Sequence, residues 1–306
     1  MEPLVDNLPW GAGSANRKDI AYWLPDKHEL HVLSLAEHAD RIIDTIPNAV
    51  IRGMVWSPTA RVLAYFPAGA RPPGIRVKDL DTEQSRTFSG SFVTVIASPD
   101  AKYVTALAAE GVVRFRLSDG KREIVVPAEY PAEASYSRSG AYLGVTVSSP
   151  TAAEMAAETS SAAQSSASDD DTPDCTGGAF ALLVQRTTGG APIRVPFPKG
   201  FDTVLNFEFS PDDRAVAVTF SLVGCDYPGE AARVYKILLS DLSMVPISPA
   251  DRLSVEPHWS PDGNFIIYTD YTGSDSPLLA YDQHSGKVSK LTEPGQFGPD
   301  HFLAWR

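Results

Sequence analysis

Short apolar runs broken by tight polar clusters follow one another along this chain, and the clusters repeat. Phe265-Ile266-Ile267-Tyr268 follows Trp259-Ser260-Pro261-Asp262-Gly263, and Ala215-Val216-Ala217-Val218 follows Phe209-Ser210-Pro211-Asp212-Asp213. Val62-Leu63-Ala64-Tyr65 follows Trp56-Ser57-Pro58-Thr59-Ala60, and Tyr103-Val104-Thr105-Ala106 follows Ala97-Ser98-Pro99-Asp100-Ala101. A degenerate copy, Tyr136-Ser137-Arg138-Ser139-Gly140, precedes Tyr142-Leu143-Gly144-Val145. The cluster has the chemistry of a tight turn between two strands. Ser can accept from a backbone amide two residues on, Pro pre-sets φ, and Asp then Gly complete a type I turn or a positive φ. In the last full unit two further strands follow, Pro277–Asp282 and Lys287–Thr292, joined by the turn Gln283–Gly286. The pattern predicts four short antiparallel strands per unit.

The spacing of the units fixes their number. Taking the residue before each turn as marker gives Trp10, Trp56, Ala97, Tyr136, Phe209, Trp259 and Trp305, at steps of 46, 41, 39, 73, 50 and 46 residues. All steps but one fit the period of a four-stranded propeller blade, about 40–50 residues. The long step contains 149–177, a stretch rich in Ala, Ser and Asp that reads as a disordered insertion, with Thr151–Thr172 expected to be dispensable; without the insertion the step is 44. The expectation is an all-β chain, a six-bladed β-propeller of four-stranded antiparallel blades, forming one domain over 1–306. A β-sandwich would not repeat the same turn chemistry at the same place in each four-strand unit.

These repeats resemble the TolB-type propeller repeat, a bacterial relative of the WD-repeat blade whose signature is Trp-Ser-Pro-Asp-Gly. The likeness is sharpest at Ser210–Asp213 and Ser260–Gly263. TolB proteins carry an α/β domain before the propeller, and this chain leaves no room for one ahead of Trp10. The resemblance therefore implies the propeller fold and not the TolB role in the cell envelope.

Composition narrows the partners. A net charge of −12 argues against a phosphate-binding surface, so nucleic acid is not an expected ligand. No apolar run approaches the roughly 20 residues of a membrane helix, and the first residues lack the basic and apolar regions of a signal peptide. A monomeric domain is expected. The only cysteines, Cys175 and Cys225, fall in second-to-third-strand loops of consecutive blades, which predicts a disulfide and an extracytoplasmic location, periplasmic or secreted. Asp169–Asp171 reads as a solubilising run rather than a calcium site.

The patterns of catalytic nucleophiles and zinc proteases, G-x-S-x-G and H-E-x-x-H, do not occur. His28 and His31 are spaced for opposite faces of a strand, a poor metal pair, and His38 and His284 read as surface residues. A propeller half of a serine peptidase would need a hydrolase domain besides. The remaining candidates are polar residues assigned to the loop-rich face around a channel mouth: Arg52, Arg71, Arg252, Glu256, His258, Asp270, Asp300 and His301, with Asp275 nearby. The leading expectation is a non-catalytic scaffold without a cofactor, binding a protein or a glycan on that face. The alternative is a metal-assisted, carbohydrate-active, lyase-like propeller enzyme with a divalent metal in the channel. Trp305 resembles the other marker aromatics, and Gly11–Lys18 lacks a Ser-Pro turn. Phe302–Arg306 is therefore expected to close the ring as innermost strand of the first blade, Leu4–Trp10 being the competitor for that place.

Overall fold

The computed structural model describes residues 11–13, 18–57, 60–99, 102–128, 131–147, 181–222, 231–250, 252–272 and 276–292. Within them the chain forms strands and turns only. The first sheet joins β1 (Gly11–Gly13), β2 (Asp19–Leu24), β3 (Glu29–Ser34) and β4 (Ala39–Thr45). The second joins β5 (Val50–Trp56), β6 (Val62–Ala68), β7 (Gly74–Asp79) and β8 (Ser85–Ser89). In the third lie β9 (Val95–Ala97), β10 (Tyr103–Ala108), β11 (Gly111–Arg116) and β12 (Arg122–Pro127). The fourth holds β13 (Pro131–Tyr136), β14 (Tyr142–Val147), β15 (Ala181–Arg186) and β16 (Ile193–Arg194). The fifth holds β17 (Thr203–Phe209), β18 (Ala215–Leu222), β19 (Ala231–Leu238) and β20 (Met244–Pro246). The last contains β21 (Ser254–Trp259), β22 (Phe265–Asp270), β23 (Leu278–Asp282) and β24 (Val288–Lys290). Each is a four-stranded antiparallel meander, and six such sheets in succession make a six-bladed β-propeller, as the repeat spacing implied. The chain divides into two compact units, Met1–Ala134 and Ser135–Arg306.

The expected assignment of the innermost strand of the first blade needs correction. The place beside β2 is taken by Gly11–Gly13, with Gly11 opposite Tyr22 and Gly13 opposite Ile20. Pairing is made by backbone groups, so a Gly-Ala-Gly segment can hold it without the aromatic that marks the other copies. The 149–177 insertion, Cys175, Cys225 and the segments 4–10 and 302–306 lie outside the described residues.

The repeated serine does something other than expected. Its hydroxyl accepts from the backbone amide five residues on, at the start of the next strand. Ser210 takes Ala215 N at 2.9 Å, Ser260 takes Phe265 N at 2.9 Å, Ser137 takes Tyr142 N at 3.1 Å and Ser98 takes Tyr103 N at 3.2 Å. The bond to the amide two residues on belongs to the aspartate: Asp212 accepts from Arg214 N at 3.1 Å and Asp262 from Asn264 N at 3.0 Å. Each of these carboxylates also accepts the proton of its own serine hydroxyl, at 2.6 Å. Gly263, at φ +73°, closes the turn by donating to Ser260 O at 2.9 Å. Asp213, at φ +59°, closes the corresponding turn on Ser210. It also accepts from Ser137 Oγ at 3.0 Å, so the turns of two neighbouring blades are tied together.

Burial follows strand position within a blade. Second strands are covered on both faces: β18 is buried at every position but its last, and β22 at every position but its first. Outermost strands such as β8 and β24 are nearly all exposed. The cores lie between adjacent sheets. In the first unit Trp23, Leu30 and Val32 pack on Trp56, Leu63 and Tyr65, while Phe66, Ile75 and Phe88 pack on Val104, Val113 and Phe115. In the second unit Leu182 and Val184 meet Val216, Val218 and Phe220, and Ala215, Ala217 and Val234 meet Trp259, Ile266 and Tyr268. Gly144 on β14 lets the Phe207 ring approach so closely that a Cβ there would lie 2.4 Å from it.

Two predictions follow from the turns. Ser210→Ala strands the buried amide of Ala215 and should lower stability by about 2 kcal/mol in denaturant unfolding, a cost typical of a buried unsatisfied donor. A loss under about 0.5 kcal/mol would show that the hydroxyl is not needed. The second prediction concerns acid. Asp212 and Asp262 are held below the usual carboxylate range, each first by its serine hydroxyl, and Asp282 by the Ser285 hydroxyl. Asp119 and Asp241 are held low by the backbone amides of Lys121 and Ser243. A depressed folded-state pKa contributes stability above the unfolded value of about 3.9, and that contribution is lost as pH falls through the folded values. The melting temperature should therefore stay level from about pH 7 to 5 and drop below about pH 4, with a shallower drop in Asp262→Asn.

Candidate functional site

The strand β21 separates residues that the sequence grouped together. It begins with Ser254 opposite Asp270 and ends with Trp259 opposite Ile266. Arg252 and Asp270 therefore stand at one end, beside the loop that follows β22, and His258 stands at the other, beside the Ser-Pro turn. At about 3.3 Å per residue the strand ends are roughly 16 Å apart. Asp270 is fully buried; its Oδ2 accepts from Arg252 Nη1 and its Oδ1 from Thr272 N at 2.9 Å. Beside this carboxylate, Tyr268 is pushed up to about 12, first by burial and then by the Asp270 charge. His258 Nδ1 lies 3.0 Å from Glu208 Oε2, and the same oxygen accepts from Trp259 N at 3.2 Å. These bonds fasten β21 to β17 of the preceding blade. Glu256, at φ 57°, occupies the register shift between Val255 and His258.

In the first unit, Arg52 is exposed in the register shift of β5 between Ile51 and Met54. Arg71 is exposed in the loop that joins β6 to β7. Asp275, Asp300 and His301 lie outside the described residues. His31, set aside as half of a poor metal pair, is buried between two carboxylates, with Nδ1 3.0 Å from Asp40 Oδ2 and Nε2 3.0 Å from Glu29 Oε2. Its ring stacks on Tyr22, which donates to the same Asp40 oxygen at 2.9 Å.

A cleft that sequence reasoning missed opens near Arg71. It has a volume of about 200 Å³ and is lined by Ile43, Asp44, Tyr65, Pro72, Arg76, Ser85, Arg86 and Thr87. Cross-strand pairing builds one wall: Tyr65 on β6 is opposite Arg76 on β7, and Arg76 is opposite Thr87 on β8. Ile43 and Asp44, near the end of β4, supply the facing wall. The Tyr65 ring is packed in the core of the first two blades, and its hydroxyl donates to Asp44 Oδ2 at 2.5 Å. Burial first, and the Asp44 contact second, push the phenol well above its ordinary range. Arg76 Nη1 donates to the same Asp44 oxygen at 2.7 Å. One signal in the sequence does point here. Arg76 lies between Ile75 and Val77, both buried, so a charged side chain is set between two core residues.

No family model and no curated protein matches the sequence. Solved structures do. TolB from Acinetobacter baumannii is 16% identical, with 93% of this chain and 63% of that one covered at a TM-score of 0.49. A putative TolB from Agrobacterium tumefaciens is 13% identical, covering 83% and 84% at 0.50. The chain has a TolB-like β-propeller fold. An oligogalacturonate lyase in complex with manganese is also similar to this TolB-like propeller, at 14% identity, covering 90% and 72% at a TM-score of 0.58. Likeness at such identity carries the fold and leaves activity to the residues of the site. The TolB-like chain spans 63% of the length of the Acinetobacter protein. Among its described residues, three or more His, Cys, Asp or Glu nowhere converge as a metal site, and none of its described elements is a helix able to cross a membrane.

The Arg252–Asp270 pair gives a direct test of what these charges do. Removing the arginine leaves Asp270 buried without its cation, so Arg252→Ala should destabilise the protein by about 3 kcal/mol. Adding Asp270→Asn should recover much of that loss in urea unfolding. A single mutant as stable as the parent would show that the pair does not hold this end of the blade.

Proposed function

We propose that this chain is a β-propeller binding module that engages a protein or glycan through its loop-bearing face. The observation that carries the reading is the cleft beside Arg71. Its volume of about 200 Å³ falls below the 300–1,000 Å³ of pockets that enclose a whole small molecule. It suits one projecting group of a larger partner held against a rigid surface. The candidate charges of the second unit support the same reading, because Asp270 and His258 are each occupied in bonds that join strands or blades. The alternative, a metal-assisted enzyme acting on carbohydrate as the manganese-bound lyase does, needs histidines and carboxylates converging on one point. His258 instead sits at one end of β21, and Asp270, on β22, pairs with the other end.

In this reading the module works outside the cytoplasm, without a cofactor, with Cys175 and Cys225 joined as a disulfide. Arg52, Arg71, Arg252 and Glu256, with Asp300 and His301, belong to its polar surface. The test separates binding from turnover. Purified protein should show saturable binding on glycan or peptide arrays. Incubation with polyuronate chains and Mn²⁺ or Ca²⁺ should release no unsaturated product. Metal-dependent cleavage would overturn the binding-module reading in favour of the enzyme.

A further inference from the structure

The cleft at the end of β4 holds hydrogen-bonding capacity that the fold leaves unused. Asp44 receives both Tyr65 and Arg76 on one oxygen, Oδ2, at 2.5 and 2.7 Å. Among the described residues, Asp44 Oδ1 and the hydroxyls of Ser85 and Thr87 have no hydrogen-bond partner, while the five-donor guanidinium of Arg76 faces only Asp44 and the Tyr65 hydroxyl. Ile43 and Pro72 supply apolar surface beside them. Asp44 and Arg76 are only partly exposed, at 21% and 24% of their side chains, so both planar groups are held at the rim rather than free in solvent.

We propose that this cleft binds a single glycosyl unit through two adjacent hydroxyls. The proposal rests on the binding-module reading and names its ligand. A carboxylate beside a guanidinium offers an acceptor and several donors side by side. A sugar hydroxyl both donates and accepts, so a vicinal pair satisfies Asp44 Oδ1 and Arg76 together. A carboxylate ligand would meet the charge of Asp44, and an ammonium ligand those of Arg76 and Arg86, the latter already donating to Leu117 O; a neutral polyol meets neither penalty. The apolar faces of Ile43 and Pro72 match the C–H face of a pyranose ring, and the cleft has space for one ring. Asp44 is already fixed by a buried phenol and a guanidinium, so binding orders few side chains.

The experiment uses the full chain and three probes, methyl α-mannoside, methyl β-galactoside and methyl β-glucoside. N-acetylglutamine methylamide represents a protein side chain. Binding is read by saturation-transfer NMR and calorimetry. At least one glycoside should bind saturably, and both Arg76→Lys and Thr87→Val should weaken it about tenfold, as expected for loss of a hydrogen bond to a bound hydroxyl. Thr87→Val removes no hydrogen bond of the fold, so its melting temperature should match the parent's, and Arg76→Lys keeps both a cation beside Asp44 and the Tyr65–Asp44 bond. If Arg76→Lys fails to fold, Thr87→Val alone decides, because Thr87 is exposed. The inference is overturned if no glycoside saturates the protein, or if binding survives both substitutions. Variant-sensitive binding of the glutamine amide alone would also overturn it while leaving the binding-module reading intact. Array binding that is indifferent to both substitutions would do the same, whereas silence on every array and probe would remove both.

Discussion

A serine hydroxyl that reaches across a turn to the first amide of the next strand is the interaction on which the rest of this fold depends. Ser98, Ser137, Ser210 and Ser260 all make it. The bond sets the start of the second strand relative to the end of the first, and in a sheet a slip of one residue would turn every buried side chain outward. The second strand is also the one covered on both faces. An error in its register would therefore disturb the cores on both sides. The aspartate of the motif acts at one remove, orienting the hydroxyl while it bonds the amide two residues on.

This arrangement explains which features were legible in the sequence. Turn chemistry is local, and so the number of blades and the position of each second strand could be read from Ser-Pro-Asp-Gly spacing alone. The role of the serine was misjudged because a two-residue bond is the common habit of short polar side chains. Only the structure shows the hydroxyl turned toward the next strand. The innermost strand of the first blade was misassigned because Gly11–Gly13 has no side-chain pattern to recognise, while its backbone pairs regardless. The site was less legible than the fold. Proximity to a marker tryptophan said nothing about which end of the strand a residue would occupy, and so His258 and Asp270 were grouped together. Asp44, Tyr65 and Arg76 come from separate strands and share no motif.

The charged residues divide into two kinds. Arg61 forks onto the buried carboxylate of Asp19, with both bonds at 3.0 Å, and joins the first two blades. Glu208 and His258 join the last two. Such pairs are directional links between sheets whose apolar faces alone would allow sliding, and the proposed surface chemistry is what remains beyond them.

The outermost strands give the two units different exposure to foreign chains. In the second unit β16, β20 and β24 are two or three residues long, too short to template an added strand. In the first unit β4, β8 and β12 are five to seven residues long. Two of these edges carry an exposed isoleucine, Ile42 and Ile124. Asp40 and Arg41 precede Ile42, and Arg122 and Glu123 precede Ile124. These charges act as gatekeepers against edge-to-edge pairing. Resistance to fibre-like association is thus secured in one half of the chain by brevity and in the other by charge. Neutralising substitutions on β4 or β12 would remove a safeguard for which the second unit has no need.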